Sequence, residues 1–438
     1  MMDWPLYMLF FFGGLSILLL IGMPVAFAFM LVNVIGVYLF WGGSIGLSQL
    51  ILSIDSSINT FVLVPVPMFI LMGTIMFHSG VAFKMIDVLD GWMGRIAGRL
   101  SLLAIGAGAL LATLTGVAMG SVAMLGSTLA PEMKKRGYSK SMTFGPILAS
   151  GSLAIMIPPS ALGVILASLG KFSVGKLLIG IILPGLLLAV SYAVYIVIRC
   201  TLNPSLAPAY DVKPTPFTTR VVDLFKYVLP LISVIVVVIG SIFFGVATPT
   251  EAAAVGTLCC GLLAFAYGKL DWEVTKKAVS AATSITVMVL IILTGSAAFS
   301  QILAFIGVTA GITNLAMGLD VHPIVVLIMM QLVLFFLGMF LEQTSILLVT
   351  IPVFMPIVIA FGWDPVWFGA IMLLNLELAT LSPPFGLCLF VMKGIAPPDT
   401  TIVDIYKAAL PYVGINILIM ALMVIFPDIV LLLPNMMK

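Results

Sequence analysis

Ten stretches of this chain are apolar for about the length that crosses a bilayer, and that succession leaves little choice of fold. A spanning helix needs about 20 apolar residues. The stretches lie at 5–21, 23–41, 62–80, 140–170, 177–199, 224–245, 250–267, 281–305, 366–392 and 405–426. Of the 438 residues only 8% are charged and 62% are hydrophobic, against about 25% charged in an ordinary globular domain. Such a chain cannot cover its own surface in water. The expected class is an all-α polytopic membrane protein, which excludes nucleic-acid binding and most soluble enzymology. The first charge is Asp3 and no basic leader precedes the first apolar run, so that run is read as a retained spanning helix. Cys200, Cys259, Cys260 and Cys388 show no C-x-x-C spacing and read as packing residues, with no transition-metal site.

Two more apolar stretches, 100–131 and 321–361, are interrupted by polar and glycine-rich residues. Each is read as a re-entrant hairpin of two helices too short to cross, a geometry tolerated only where protein or a cavity surrounds it. Residues 81–99 alternate charge (Lys84, Asp87, Asp90, Arg95) with Met85, Leu89, Trp92 and Ile96, as an amphipathic helix in the interface does. The proline-rich connection 203–223 joins two halves. Threading this topology puts sixteen of the 19 basic residues on the cytoplasmic side; Lys171, Lys176 and Lys438 are the exceptions. The positive-inside rule then places both termini outside.

A shift of 225 residues lays Pro158-Pro159 on Pro383-Pro384, Pro131 on Pro356 and Gly137 on Gly362. Both copies run hairpin, polar turn, helix broken by Pro-Pro, further crossing. An odd number of crossings separates them, so they are expected to be inverted repeats, the signature of a secondary transporter with its site at midplane. The bland alternative is that each Pro-Pro only kinks a structural helix.

Proline has no N–H and clashes with the turn before it, so each pair breaks its helix. Carbonyls freed at a half-helix C-terminus suit a hard cation such as sodium, and the amides of a half-helix N-terminus suit an anion. Polar residues gather at these interruptions: Thr115, Gly116, Gly120 and Ser121 at the first tip, and Ser150, Gly151, Ser152 and Ser160 along the first broken helix. Gly338, Glu342, Gln343, Thr344 and Ser345 mark the second tip, and Asn375, Glu377, Thr380 and Ser382 the second broken helix. Ser and Thr also serve as small packing residues in membranes. An intramembrane acid such as Glu377 is costly and functional by default, whereas Glu342 can reach the outer interface. Glu251, in TPTEAAA, reads as a capping acid after Thr250. No Lys or Arg falls within the four segments, so positive charge for an anion must come from co-bound cations and backbone dipoles. GKFS at 170–173 lacks the rest of a phosphate loop, so ATP is not expected.

Several blocks, in order, are more specific than any one: GMPVAFA (22–28), VPMFILMG (66–73), PEMKKRGYSK (131–140), IPPS (157–160), TPTEAAAVG (248–256), GMFLE (338–342), PVFMPIVIAFGWDPVWFGAIM (352–372) and SPPFGLCLFVMKGIA (382–396). The chain resembles the large, DctM-type membrane subunit of the tripartite ATP-independent periplasmic (TRAP) transporters. The resemblance implies a sodium-coupled importer of a small organic anion, a carboxylate or sulfonate, working as an elevator in the bacterial inner membrane. A periplasmic substrate-binding protein would deliver the anion, and a small four-helix membrane subunit would brace the scaffold among the lipids. It implies scaffold at 1–99, with the arm helix, at 171–320, with the linker, and at 397–438. Transport repeats would occupy 100–170 and 321–396. Sodium ligands would fall on Gly116, Ser121, Ser150, Ser152, Pro158, Gly338, Thr344, Thr380, Ser382 and Pro383. Ser160, Ser345, Asn375 and Glu377 remain candidates for the substrate pathway. The first tip carries Val117, Ala118 and Met119 where the family is serine-rich, which implies backbone ligands there. The alternatives are a single-component sodium–dicarboxylate symporter and an ion channel.

Overall fold

The computed structural model describes residues 4–94, 96–115, 118–209, 216–339 and 341–437, and every regular element among them is helical. The chain opens with α1 (Trp4–Met8) and α2 (Gly14–Leu20), joined by a π turn at Leu9–Gly13, then α3 (Val25–Phe40), α4 (Ser44–Ile58), α5 (Pro65–His78) and α6 (Val81–Trp92). The first repeat follows as α7 (Arg99–Thr115), α8 (Ala118–Lys135), α9 (Lys140–Met156), α10 (Ala161–Leu169), α11 (Val174–Gly180) and α12 (Ile182–Leu202). A middle group comprises α13 (Phe217–Asp223), α14 (Leu229–Phe243), α15 (Pro249–Ala266), α16 (Trp272–Phe305) and α17 (Val308–Gly318). The second repeat is α18 (Pro323–Gly338), α19 (Gln343–Ala360), α20 (Pro365–Leu381), α21 (Leu387–Ile395), α22 (Ile402–Ile425) and α23 (Asp428–Asn435).

Among the described residues seven helical stretches are long and apolar enough to cross a membrane, or eight if the bent pair Lys140–Met156 and Ala161–Leu169 is one span. Side chains such as Phe27, Ile51, Leu258 and Phe265 stay largely exposed on their outer faces, an arrangement that suits lipid as the surrounding solvent.

The internal repeat extends to element boundaries. Helices α8 and α19 both have 18 residues and α9 and α20 both have 17; Gln343 stands 225 residues after Ala118, and Pro365 the same distance after Lys140. Even the caps correspond: Ser139 accepts from the Met142 amide and Asp364 from those of Val366 and Trp367.

Several boundaries differ from the sequence expectation. The hairpin arms run to 16–18 residues rather than short half-spans, so the placement of their tips, not arm length, distinguishes them. Helix α4 has no counterpart among the expected elements, because Ser48, Ser53, Asp55, Ser56 and Ser57 dilute its apolar signal. Helix α17 lies where 306–322 reads as a loop. Helix α16 starts at Trp272 rather than 281, with Asp271 capping the Val274 amide at 2.7 Å and a Glu273–Lys277 pair at 2.6 Å on its first turns. The arm helix α6 stops at Trp92 instead of 99. Gly94 and Gly98 take φ of 60° and 77°, and the chain turns so that buried Arg99 reaches back to Asp90 at 2.8 Å. The cap of α15 is Thr248 rather than Thr250: its hydroxyl accepts from the Glu251 amide at 3.3 Å while the Glu251 carboxylate accepts from the Thr248 amide at 2.8 Å.

Packing sorts the helices into two bodies. Helices α3, α4, α5, α14, α15 and α16 pack among themselves. The other body is built on the broken helices: α9 packs against α7, α8, α12, α20 and α22, and α20 against α18, α22 and α23. Helices α12 and α22, which fall in the segments 171–320 and 397–438 read from the sequence as scaffold, both pack against the broken helix α9 and against each other. The physical reason is a buried contact set in which Tyr192 and Tyr195 of α12 pack their rings edge-on against Tyr412 of α22. The two bodies meet where α5 touches α7 and α10 and where α16 touches α19.

Candidate functional site

Helix α9 ends at Met156 and the chain bends by 43° across the Pro158-Pro159 break before α10 begins. Ser160 starts α10, its Oγ accepting from the Gly163 amide at 3.2 Å. In the second repeat α20 ends at Leu381, a turn carries Pro383-Pro384, and α21 starts at Leu387. Gly386 is required in that turn: a Cβ there would collide with the Thr380 carbonyl oxygen and lie 2.9 Å from that of Ser382. Two backbone oxygens thus converge on a cradle that only glycine leaves open. As the resident of position N-cap, Gly386 also gives α21 no side-chain cap, which leaves its first amides available to a ligand.

These breaks and both hairpin tips meet around one cavity of about 200 Å³, below the ~300–1,000 Å³ of ordinary ligand pockets and suited to a small metabolite. Four helix N-termini reach it: Ala118 and Met119 open α8, Ala161 and Leu162 open α10, Gln343 and Thr344 open α19, and Leu387 opens α21. Each N-terminus carries a partial positive charge of roughly half a unit; side chains cap the Gly163 amide of α10 and the Thr344 and Ser345 amides of α19, whereas α21 has no side-chain cap. The facing wall is apolar, from Phe69 and Ile70 of α5 and Ile285, Met288 and Val289 of α16. Among the described residues no Lys or Arg lines it, and its one ionisable group is Glu342.

That acid lines the cavity and is half-buried. It caps α19, its carboxylate accepting from the amides of Thr344 at 3.0 Å and Ser345 at 3.4 Å and from the Thr344 hydroxyl at 2.9 Å. An acid directly before a helical run is a recognisable N-cap signal.

Of the sequence candidates, Thr344 and Thr380 line the cavity itself. Thr380 donates to the Glu377 carbonyl at 2.8 Å. Glu377 lies fully buried just behind it, near Gln343. Gly338 packs hard on Ala379 and so seats the second tip against α20. Ser121, Ser150, Ser160, Ser345 and Pro158 are buried around the site, and Pro383 is half-buried. The Ser150 and Ser382 hydroxyls are bound within their own helices, to Ile147 O at 2.6 Å and Leu378 O at 2.7 Å. Gly116 lies outside the described residues.

Two candidates face elsewhere. Ser152 turns toward α12, 2.8 Å from the Tyr192 hydroxyl. Asn375 turns toward α18, its Nδ2 donating to the carbonyl and the side-chain oxygen of Gln331 at 2.7 and 2.8 Å. Sequence reasoning did not single out Phe69, Ile70, Ile285 or Met288 as cavity walls, because nothing in an apolar helix marks which apolar face is shared with a ligand.

Comparison with known proteins agrees with this geometry. The family described as "Tripartite ATP-independent periplasmic transporter, DctM component" matches residues 12–429. The chain is 32% identical to a C4-dicarboxylate TRAP transporter large permease protein of Pseudomonas aeruginosa over 86% of each chain. It is 31% identical to an ectoine TRAP transporter large permease protein of Halomonas elongata, covering 96% of this chain and 97% of the other. Among solved structures the YdaH transporter of Alcanivorax borkumensis superposes with a TM-score of 0.62 at 14% identity, over 88% of this chain and 90% of that one, a likeness of fold.

Proposed function

The chain belongs to the DctM component family of the tripartite ATP-independent periplasmic transporters, and on that premise we propose that it imports a small organic anion in symport with sodium. Membership makes it a polytopic inner-membrane transport subunit that works with a small membrane subunit and a periplasmic binding protein. The observation that carries the anion reading is the convergence of four helix N-termini on one small cavity without a basic side chain. Dipoles and free amides hold an anion there, and sodium supplies the remaining positive charge. The Thr380 and Ser382 carbonyls beside Gly386, at the C-terminal end of α20, are the favoured sodium ligands, with the matching carbonyls of the first repeat around Pro158.

In this reading α7–α12 and α18–α23 form the moving unit and slide against α3–α5 and α14–α16, as in an elevator, with both termini in the periplasm. Each sodium moving inward through the full field gains about 2.3 kcal/mol per 100 mV. Relatives named for a C4-dicarboxylate and for ectoine stand at 32% and 31% identity, so overall identity does not select a substrate, and the reading stops at a small ligand with an acidic group.

The test is uptake into vesicles holding this chain and its small subunit, with the loaded binding protein outside and sodium varied on either side. Uptake should need both the binding protein and an inward sodium gradient. Transport by this chain alone would favour the single-component symporter, and uptake indifferent to sodium would end the coupling assignment.

A further inference from the structure

A second, larger cavity of about 830 Å³ opens between α4 and α16 on one side and α10 and α19 on the other. Its wall mixes apolar side chains with Ser57, Thr60, Ser168, Lys171, Ser300 and Gln301, and among the described residues no acid lines it. It sits on the half of α16 opposite to Lys276 and Lys277, the end that the basic residues mark as cytoplasmic.

The two cavities share a track. Along α16 the smaller one is lined by Ile285, Met288 and Val289, and the larger by Leu293, Ser296, Ala297, Ser300 and Gln301. Steps of three and four residues keep all of these on one helix face, and that face grows more polar toward Lys171. On α10, Ala161, Leu162 and Ile165 line the inner cavity while Ala167 to Leu169 line the outer.

Lys171 itself is placed against its folding preference. It has φ of 56° and is the one non-glycine with positive φ among the described residues. The turn closes α10 with bonds from the Phe172 amide to Ala167 O at 3.1 Å and from Lys171 to Ser168 O at 3.3 Å, an ending in which the left-handed residue is usually Gly. A lysine is sterically disfavoured there. It is exposed, and among the described residues it has no ion-pair partner and is the only basic residue lining either cavity. A helix-end lysine can serve its own helix dipole, but that role needs neither a left-handed residue nor a polar cavity.

We propose that this cavity is a receiving vestibule in which Lys171, with the Ser300 and Gln301 side chains, binds the acidic group of the incoming anion before it passes along α16 to the inner cavity. The inference rests on the organic-anion reading above. Its test avoids transport. In a background lacking Cys200, Cys259, Cys260 and Cys388, Ser300→Cys is treated in vesicles with an anionic sulfonatoethyl and a cationic trimethylammonioethyl methanethiosulfonate. The anionic-to-cationic rate ratio should fall by about fivefold when Lys171→Gly is added, the size Coulomb's law gives for one charge acting through about 9 Å of water on probes of opposite sign. The difference should shrink in high salt, and Lys171→Arg should restore it. Lys171→Gly should melt no lower than its parent, since glycine suits the turn. A ratio unmoved by Lys171→Gly, or a cysteine inert to both reagents, overturns the vestibule. Failure of sodium-driven uptake in the unmodified protein would overturn the transport reading and leave this ratio untouched.

Discussion

The Ser152 Oγ and Tyr192 hydroxyl lie 2.8 Å apart between α9 and α12, and Asn416 of α22 donates to the same hydroxyl at 2.6 Å. One phenol thus ties the first broken helix to the closing helices of both repeats. Each partner keeps a second bond, Ser152 to Ala149 O at 2.7 Å and Asn416 to Tyr412 O at 2.9 Å. Tyr192→Phe should therefore cost about 1 kcal/mol, within the range of hydrogen bonds between membrane helices. A thermal-unfolding scan in detergent should show a small drop in Tm with uptake retained. Loss of uptake at unchanged Tm would give the network a direct role in transport.

Gly386 predicts a sharper effect. A Cβ there collides with the Thr380 carbonyl and crowds that of Ser382, while a Cβ on Gly394, in the same helix α21, meets nothing within 4 Å. Gly386→Ala should abolish or severely impair sodium-driven uptake, and Gly394→Ala should leave it near normal. Equal behaviour of the two variants would show that the turn does not hold the coupling machinery.

How much of this was legible in the sequence follows from where each signal is local. Pro158-Pro159 and Pro383-Pro384 break helices through their own chemistry, so both breaks were readable, as was the 225-residue repeat. Glu342 could be seen as an acid, but its capping of α19 depends on where the hairpin turns. Asn375 and Ser152 carry the right chemistry on the right helices and still face α18 and α12, because rotation about a fully buried helix such as α20 leaves no polar–apolar pattern to read. The cavity wall of Phe69 and Met288 is a property of two helices distant in sequence. The affiliation of α12 and α22 was hidden for the same reason, being decided by the Tyr192, Tyr195 and Tyr412 rings.

Asn375 Nδ2 donates to Gln331 away from the cavity, to its carbonyl and to its Oε1, while Asn375 Oδ1 and Gln331 Nε2 accept and donate no bond among the described residues. Replacing both by Leu removes donor and acceptor together, which is close to neutral, whereas replacing one leaves a buried polar group unpaired at about 1–3 kcal/mol. The double variant Asn375→Leu with Gln331→Leu should keep the half-saturating concentration of loaded binding protein, and Asn375→Leu alone should lower Tm. A large change in half-saturation in the double variant would return Asn375 to the substrate pathway.

The proline breaks are tested by restoring an N–H. Pro158→Ala or Pro383→Ala lets the helix bond continue across the break, occupying carbonyls otherwise free for sodium. Half-saturating sodium should rise several-fold in each variant, read from initial uptake rates at fixed substrate. Unchanged sodium activation in both would count against cation sites at the breaks.

Glu377 gives the last prediction. It is fully buried, its Oε1 accepts no hydrogen bond, and its Oε2 lies 3.5 Å from the Thr380 hydroxyl. No lysine or arginine lies in the hairpin tips, or in 141–170 and 365–392 around the two breaks, to neutralise it. An uncompensated charge at such a position is strongly unfavourable, so the carboxylate is balanced by a bound cation or by a proton during the cycle. Glu377→Gln keeps the volume and removes the charge. If the balancing cation is sodium at the α20 break, the variant should remain folded, with Tm close to wild type, and half-saturating sodium should rise by about tenfold, equivalent to about 1.4 kcal/mol. Glu377→Leu, which sets an apolar branched side chain beside Gln343 and Thr380, should lose stability as well. Wild-type sodium dependence in Glu377→Gln would make this acid a packing residue and confine the coupling charge to backbone carbonyls.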